Sequence, residues 1–136
     1  GAMTWIDRHD GHWWIAFAFY GDKRTVQRTR LVKLNDRWKT QATWTFPATV
    51  IDRFLPFSNS GGSWGPDGLL YVTGHDRAEL YALRIPKKGS TLQLVDIVPI
   101  KAAGQGIAWD RSDAGMIYGI HRKTKTVVVS RLGGRK

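Results

Sequence analysis

The sequence predicts an all-β protein built from about three antiparallel four-stranded units. Aromatic and β-branched residues occur together in short runs, and glycine-containing turns are frequent. No segment keeps the apolar spacing of three and four residues that marks an amphipathic helix. The chain has 136 residues and 42% hydrophobic content, which is enough for one domain with a core. We therefore expect a single β domain.

Three segments begin with a tryptophan, pass an acidic or glycine turn and enter an aromatic strand. They start at Trp5, Trp64 and Trp109. The intervals are 59 and 45 residues (64 − 5 and 109 − 64), close to the ~40–50 residues of a four-stranded propeller blade, with the first unit longer. The sequence thus predicts roughly three blades, half of a six-bladed β-propeller, in units of about 4–47, 48–100 and 101–136. We interpret residues 1–3 as an expression scar ahead of this domain.

The middle unit shows its strands most clearly. Asp67 and Gly68 form a strong hairpin signal, because glycine adopts a positive φ without steric cost. Further turns are predicted at 74–77 and 86–89. The four predicted strands are 58–64, 69–73, 79–85 and 91–98.

The two outer units follow the same pattern. In the first, the predicted strands are 4–7, 13–20, 25–34 and 38–46, with a helical turn at 50–54. In the third they are 106–109, 116–121 and 126–132 only, so its fourth strand is missing. Val127, Val128 and Val129 would then form an apolar edge strand, a known route to association. Since three blades fill only part of a ring, we expect a homodimer in which a second copy closes it.

Two strings of the middle unit carry a family resemblance. GPDGLLYVT at 65–73 and ELYALRIP at 79–86 resemble the strand-turn-strand core of bacterial six-bladed β-propellers of the NHL and gluconolactonase-like kind. Residues 109–132 resemble a further copy. The resemblance implies a full ring about twice this length. For the calcium-dependent lactonases of that superfamily it implies Glu, Asn and Asp ligands, for which this chain offers Glu79, Asn59 and Asp52.

In a propeller, the loops between second and third strands, and those leading into each first strand, share one face around the channel. We predict a ligand-binding site on that face. Its residues are Asn59, Ser60, His75, Asp76, Arg77, Gln105, His121 and Arg122. His75 beside Asp76 is the most attractive pair, because an imidazole next to a carboxylate can act as a general base or metal ligand. A polar turn stabilised by Asp76 is the alternative interpretation.

A metal-dependent hydrolase or lactonase acting through His75, Asp76 and His121 is the alternative function. However, no Gly-x-Ser-x-Gly, phosphate-binding loop or His-Glu-x-x-His motif occurs, and the absence of cysteine excludes thiol catalysis. His9 and His12 have a His-x-x-His spacing, but zinc needs three or four ligands, and no other His lies near them in sequence. We predict no catalytic residue, no metal site and no cofactor.

The chain is strongly basic, with 21 Lys and Arg against 11 Asp and Glu, a formal charge of +10. A basic patch in the first unit is interleaved with Trp38 and Trp44. It comprises Arg24, Arg28, Arg30, Lys33, Arg37 and Lys39. An anion- or nucleic-acid-binding surface is therefore a third hypothesis. Since charged outer strands also block edge pairing, we do not expect nucleic acid as the partner.

The leading prediction is a noncatalytic β-propeller module, a ligand- or protein-binding scaffold closed by self-association. No run approaches the ~20 apolar residues of a membrane span, so we expect a soluble protein. A cysteine-free chain fits either redox environment, and bacterial cytoplasmic and extracytoplasmic locations both stay open.

Overall fold

The computed structural model describes residues 1–133, which form three antiparallel β-sheets and two short helices. The sheets contain four, four and three strands, each paired with its neighbours in chain order. This confirms the predicted all-β class with antiparallel sheets, and the three sheets are consistent with partial propeller blades. Residues 134–136, the end of the third predicted unit, lie outside the described residues.

The first sheet pairs four consecutive strands. They are β1 (Ala2–His9), β2 (His12–Ala18), β3 (Arg30–Leu34) and β4 (Thr40–Thr45). Asp10 and Gly11, which connect β1 to β2, both have positive φ (50° and 73°), as a tight Asp-Gly turn requires. Ala2 and Met3, assigned to a scar from the sequence, pair with Ala18 and Phe17 within the sheet.

One predicted strand is partly wrong. The sequence predicts a strand over 25–34, but helix α1 (Lys23–Val26) precedes β3. The Asp22 side chain accepts a hydrogen bond from the backbone N–H of Thr25 (2.9 Å), a capping contact that outweighs the β preference of the β-branched Thr25 and Val26. The predicted helical turn at 50–54 is present as α2 (Ala48–Phe54).

The second and third sheets follow α2. The second contains β5 (Gly61–Trp64), β6 (Leu70–Thr73), β7 (Glu79–Arg84) and β8 (Gln93–Pro99). The third contains β9 (Ile107–Trp109), β10 (Met116–His121) and β11 (Thr126–Arg131). Within residues 1–133 the third sheet has no fourth strand, as predicted, and β11 is its edge.

The three sheets stack with their first strands together, since β1 contacts β5 and β5 contacts β9. Trp14, Leu70 and Tyr81 lie in the core between the first and second sheets. Tyr71 and Leu80 lie in the core between the second and third sheets. Successive strand residues point to opposite faces, which is why Leu70 and Tyr71 belong to different cores.

The predicted tryptophan repeat is correct for two of its three members. Trp64 and Trp109 end β5 and β9, whereas Trp5 lies inside β1. Trp5 packs against Gly62, where a Cβ would overlap its ring. The residue of β1 that matches Trp64 by register is Arg8, which pairs with Trp13 as Trp64 pairs with Leu70.

The connections between sheets and strands fall on two faces of the stack. We call upper the face formed by the β2–β3, β4–β5, β6–β7, β8–β9 and β10–β11 connections, and lower the face formed by the others. α1 and α2 contact each other on the upper face. Neither helix of the described chain has the length and apolar character needed to cross a bilayer.

Candidate functional site

A cavity of about 470 Å³ opens on the upper face between the second and third sheets. It is lined by His75, Asp76, Ala103, Gln105, His121, Arg122 and Lys123. Three connections therefore form its walls: β6–β7, β8–β9 and β10–β11. The volume falls within the ~300–1,000 Å³ typical of small-molecule sites. Five of the eight residues predicted from the sequence lie together here; we call this space the upper cavity.

Glycines hold the β8–β9 connection against the second sheet. A Cβ at Gly104 would overlap the carbonyl oxygen of His75, and its φ of +61° is also one that glycine adopts freely. Gln105 has a positive φ as well (66°), a costly conformation for a residue with a side chain. Its carbonyl oxygen accepts a hydrogen bond from the buried Thr73 hydroxyl (2.6 Å). This contact fixes Gln105 at the cavity wall.

His75 is held on two sides. Its Nδ1 lies 2.7 Å from Oδ1 of Asp76, and its ring lies 4.0 Å, centre to centre, from that of Phe57. When Nδ1–H donates to the carboxylate, Nε2 of the neutral ring has a lone pair and can accept a hydrogen bond. In the charged ring, Nε2 carries a proton and can donate one. His75 can therefore bind a ligand group of either hydrogen-bonding type.

His121 has a different arrangement. The backbone N–H of Thr124 donates to Nδ1 (3.3 Å), and the Thr124 hydroxyl lies 2.7 Å from the same nitrogen. Nδ1 is therefore an acceptor, and the neutral ring carries its proton on Nε2. His121 presents an N–H donor where neutral His75 presents an acceptor.

The charge of the cavity wall is positive. Arg122 and Lys123 are exposed, and neither forms an ion pair within residues 1–133. Asp76, the one acidic residue of the lining, already contacts His75. Two cations thus remain without a carboxylate partner at the rim.

The other three predicted residues lie elsewhere. Asn59 is fully buried: its Oδ1 accepts from Nε1 of Trp5 (2.7 Å), and its Nδ2 donates to the carbonyls of Gly61 and Thr73. The backbone N–H of Ser60 donates to the Thr73 carbonyl. Arg77 lies 3.7 Å from Glu79. Asn59 has therefore used both amide donors and one acceptor position of its side chain inside the fold, while Arg77 is partly neutralised.

The oxygen ligands implied by the lactonase resemblance each have another partner. Both oxygens of Glu79 accept from Arg53 (2.9 Å each), and Asp52 pairs with Lys23 (2.7 Å). Among residues 1–133, no three His, Cys, Asp or Glu side chains form a group that could hold a metal ion.

The two histidines of the His-x-x-His spacing make different contacts. His9 stacks on Trp64 (ring centres 4.3 Å apart), whereas Nδ1 of His12 lies 2.9 Å from the carbonyl oxygen of Asp10. Burial lowers the pKa of His9 below its ordinary value, against the opposing effect of Asp10 and Asp7.

The basic patch of the first sheet does not lie on one surface. Arg30 and Lys33 point to opposite faces of β3, because they are three residues apart on a strand. Arg28 and Arg30 lie over the Phe19 ring at 4.5 and 5.8 Å, and Lys33 lies over Trp14 at 5.5 Å. Several basic side chains of this patch therefore already contact aromatic rings of the same chain.

A second opening, of about 550 Å³, lies on the lower face between the same two sheets. Tyr71 and Trp109 form part of its wall, and their rings meet edge to face at 4.9 Å. Its charged groups are already paired: Tyr71 donates to Asp67 and Arg131 to Asp113. It therefore offers less unsatisfied charge than the upper cavity does.

Sequence reasoning missed the residues that shape the upper cavity. Phe57 supports His75 from 18 positions away (75 − 57), and no local pattern indicates that contact. The run Gly104-Gln105-Gly106 does carry a signal, since two glycines around one polar residue suggest a close backbone approach.

These observations define an all-β protein of stacked blade-like sheets with a cationic cavity on one face. A scan of protein-family models found no match, and neither did a search of curated proteins. Among solved structures, the chain is similar to a candidate 6-phosphogluconolactonase from Bacteroides uniformis ATCC 8492, with a TM-score of 0.57 and 9% identity. The match covers 95% of this chain and 38% of that one.

A protein of unknown function from Bacteroides caccae matches with a TM-score of 0.49 and 13% identity, over 89% of this chain and 42% of that chain. The chain thus spans less than half the length of either neighbour. The predicted lactonase-like resemblance is supported at the level of the fold by the first neighbour, and no comparison tests NHL membership.

Proposed function

We propose that the chain is a noncatalytic binding module that holds a small anionic ligand, a carboxylate or phosphate, in the upper cavity. The observation that supports this most directly is the pair of unneutralised cations, Arg122 and Lys123, at the rim of a ligand-sized space. Guanidinium and ammonium groups form their strongest hydrogen bonds with such anions. His121 adds an N–H donor.

The noncatalytic part rests on the composition of the wall. His75 and Asp76 form a pair that could accept a proton, but no Ser, Thr or Lys nucleophile contacts them in the described chain. Glu79, Asp52 and Asn59, the ligands that the resemblance to calcium-dependent lactonases implies, each have another partner within the chain. No observation favours the hydrolase hypothesis over binding.

The test is thermal unfolding with increasing inorganic phosphate or citrate, using chloride at matched ionic strength as the reference. A ligand that binds only the folded chain stabilises it by about 2.7 kcal/mol when present at 100 times its Kd. We expect this stabilisation to be lost in Arg122→Gln/Lys123→Gln. The control is Lys87→Gln/Lys88→Gln, which removes the same charge from exposed residues of the lower face.

Equal stabilisation of all three proteins would show a nonspecific charge effect and overturn the site. A rise in Tm with divalent metals that disappears in both His75→Ala and His121→Ala would overturn the predicted absence of a metal site and would favour the metal-dependent hydrolase hypothesis instead.

A further inference from the structure

Within residues 1–133, the third sheet leaves one apolar face uncovered. Ile117 packs toward the second sheet, so its neighbours on β10 point the other way. Tyr118 pairs with Ala108 and Val129, and Ile120 pairs with Val127. Ile120, Val127 and Val129 are each about half exposed or more (49%, 64% and 55%). We call this face the carboxyl flank: Ala108, Tyr118, Ile120, Val127 and Val129.

The first sheet also has an apolar face at the other end of the stack, which is only partly covered: Met3 and Ile6 on it are exposed, whereas Ile15, Val32 and Leu34 are buried. A cluster of Ile15, Val32 and Leu34, with Trp13 and Phe17 against it, lies on the side away from the second sheet. Met3 and Ile6 extend the face, because they pair with Phe17 and Ile15. We call this face the amino flank: Met3, Ile6, Trp13, Ile15, Phe17, Val32 and Leu34.

The joints inside the chain show how such faces are covered. Trp14 of the first sheet meets Trp64 of the second edge to face at 4.8 Å, and Tyr71 of the second meets Trp109 of the third at 4.9 Å. By strand register Tyr118 is the next member of the series Trp14, Tyr71, Tyr118. No following sheet contributes a ring to Tyr118 in the described chain.

The same joints share a second contact. The backbone N–H of Trp64 donates to Asp7 (2.9 Å), and that of Trp109 donates to Ser63 (3.1 Å). Each sheet therefore presents one type of face to the sheet before it and another to the sheet after it. The amino flank corresponds to the face toward the preceding sheet and the carboxyl flank to the face toward the following sheet, but Ala108, which stands in register with Asp7 and Ser63, offers no side-chain acceptor.

We propose that a second copy of this chain covers both flanks, with the carboxyl flank of each copy packed head to tail on the amino flank of the other. Two copies form two identical joints and a closed set of six sheets, which a two-fold axis permits. Arg8 of the second copy takes the position of Trp64 and Trp109 and faces Tyr118, with its guanidinium held over Trp13 (4.9 Å) and paired with Asp36 of its own copy. This inference goes beyond ligand binding and does not depend on it.

The test is mass in solution by light scattering after size exclusion, at several protein concentrations. We expect a dimer of two 15.4 kDa chains. Since each copy carries +10, added salt should strengthen the dimer by screening repulsion between the copies. A monomer at every concentration overturns the proposal, and so does a series of growing oligomers.

Paired variants test the head-to-tail arrangement. Val127→Lys/Val129→Lys blocks the carboxyl flank, and Met3→Lys/Ile6→Lys blocks the amino flank; all four residues are exposed, so folding should be retained, which circular dichroism checks. We expect each variant alone to raise the dimer Kd about 100-fold or more, because the joint would bury unpaired charge. Val95→Lys, an exposed apolar residue of β8, is the control and should remain dimeric.

Mixing the two blocked variants should restore association, because one unaltered joint remains between them. If either variant alone stays dimeric, the contact joins like faces or lies elsewhere, and the proposal is wrong.

Discussion

The second and third sheets follow the same hairpin pattern but differ in what covers them. Residues 70–73 of β6 are buried without exception, whereas Ile117 is the one fully buried residue of β10. Both strands are rich in apolar side chains. An apolar strand sequence therefore predicts that a strand can be buried on both faces. Whether both faces are buried depends on how many sheets lie next to it.

The largest expected effect tests this contrast directly. Leu80→Ala removes a fully buried side chain between the second and third sheets and should lower the free energy of unfolding by about 2–5 kcal/mol. Val127→Ala, on the uncovered face, should change it by about 0.5 kcal/mol or less in the monomer. Urea denaturation at low protein concentration measures both. A loss at Val127 as large as that at Leu80 would mean that the carboxyl flank is covered within the chain.

A smaller effect is expected where the two sheets meet at the upper cavity. Gly104→Ala combines a positive φ with overlap on His75, whereas Gly89→Ala, at φ +83°, has open space around it. The strain of a positive φ costs about 1–2 kcal/mol at both sites, and the overlap should make Gly104→Ala the more destabilising. Anion binding should weaken in Gly104→Ala only. Equal losses of unfolding free energy in the two variants would show that the loop at Gly104 moves freely away from His75.

The smallest expected effect is a pH dependence of stability that arises at His9, where the first sheet packs against the second. Burial against Trp64 lowers the pKa of His9, so the folded chain binds fewer protons there than the unfolded chain does. The free energy of unfolding should therefore fall as the pH drops below about 6.5, the ordinary pKa of His. His9→Phe keeps the ring stack and should reduce this slope between pH 8 and 5. If the unfolding free energies of wild type and His9→Phe change in parallel with pH, His9 does not contribute to the pH dependence.

The sequence predicts most of the sheet architecture because the relevant signals are local. The Asp67-Gly68 turn has the positive φ at Gly68 (79°) that its residues favour. The strand predicted over 25–34 is wrong in its first half, because the Thr25 N–H donates a capping hydrogen bond to Asp22 and a helical turn forms there. A pattern of β-branched residues cannot reveal such a cap unless its geometry is known.

The candidate site is predicted less completely, because its residues depend on contacts between distant segments. His75, Asp76, Gln105, His121 and Arg122 follow from the order of connections in a blade. Asn59 has the same place in that order, yet it turns inward to Trp5, 54 positions away. The position of a polar residue in a connection therefore predicts the face of the stack on which it lies. It does not predict whether the side chain points to solvent or into the core.

The bond between Trp5 and Asn59 also bears on how the chain folds during synthesis. Trp5 packs on Gly62, and Asp7 accepts hydrogen bonds from Trp64 and from Arg111, which is 104 residues away. Contacts of such high sequence separation form slowly, because long loops must close first. We therefore expect β1, although translated first, to gain these contacts only after the start of the second sheet has left the ribosome.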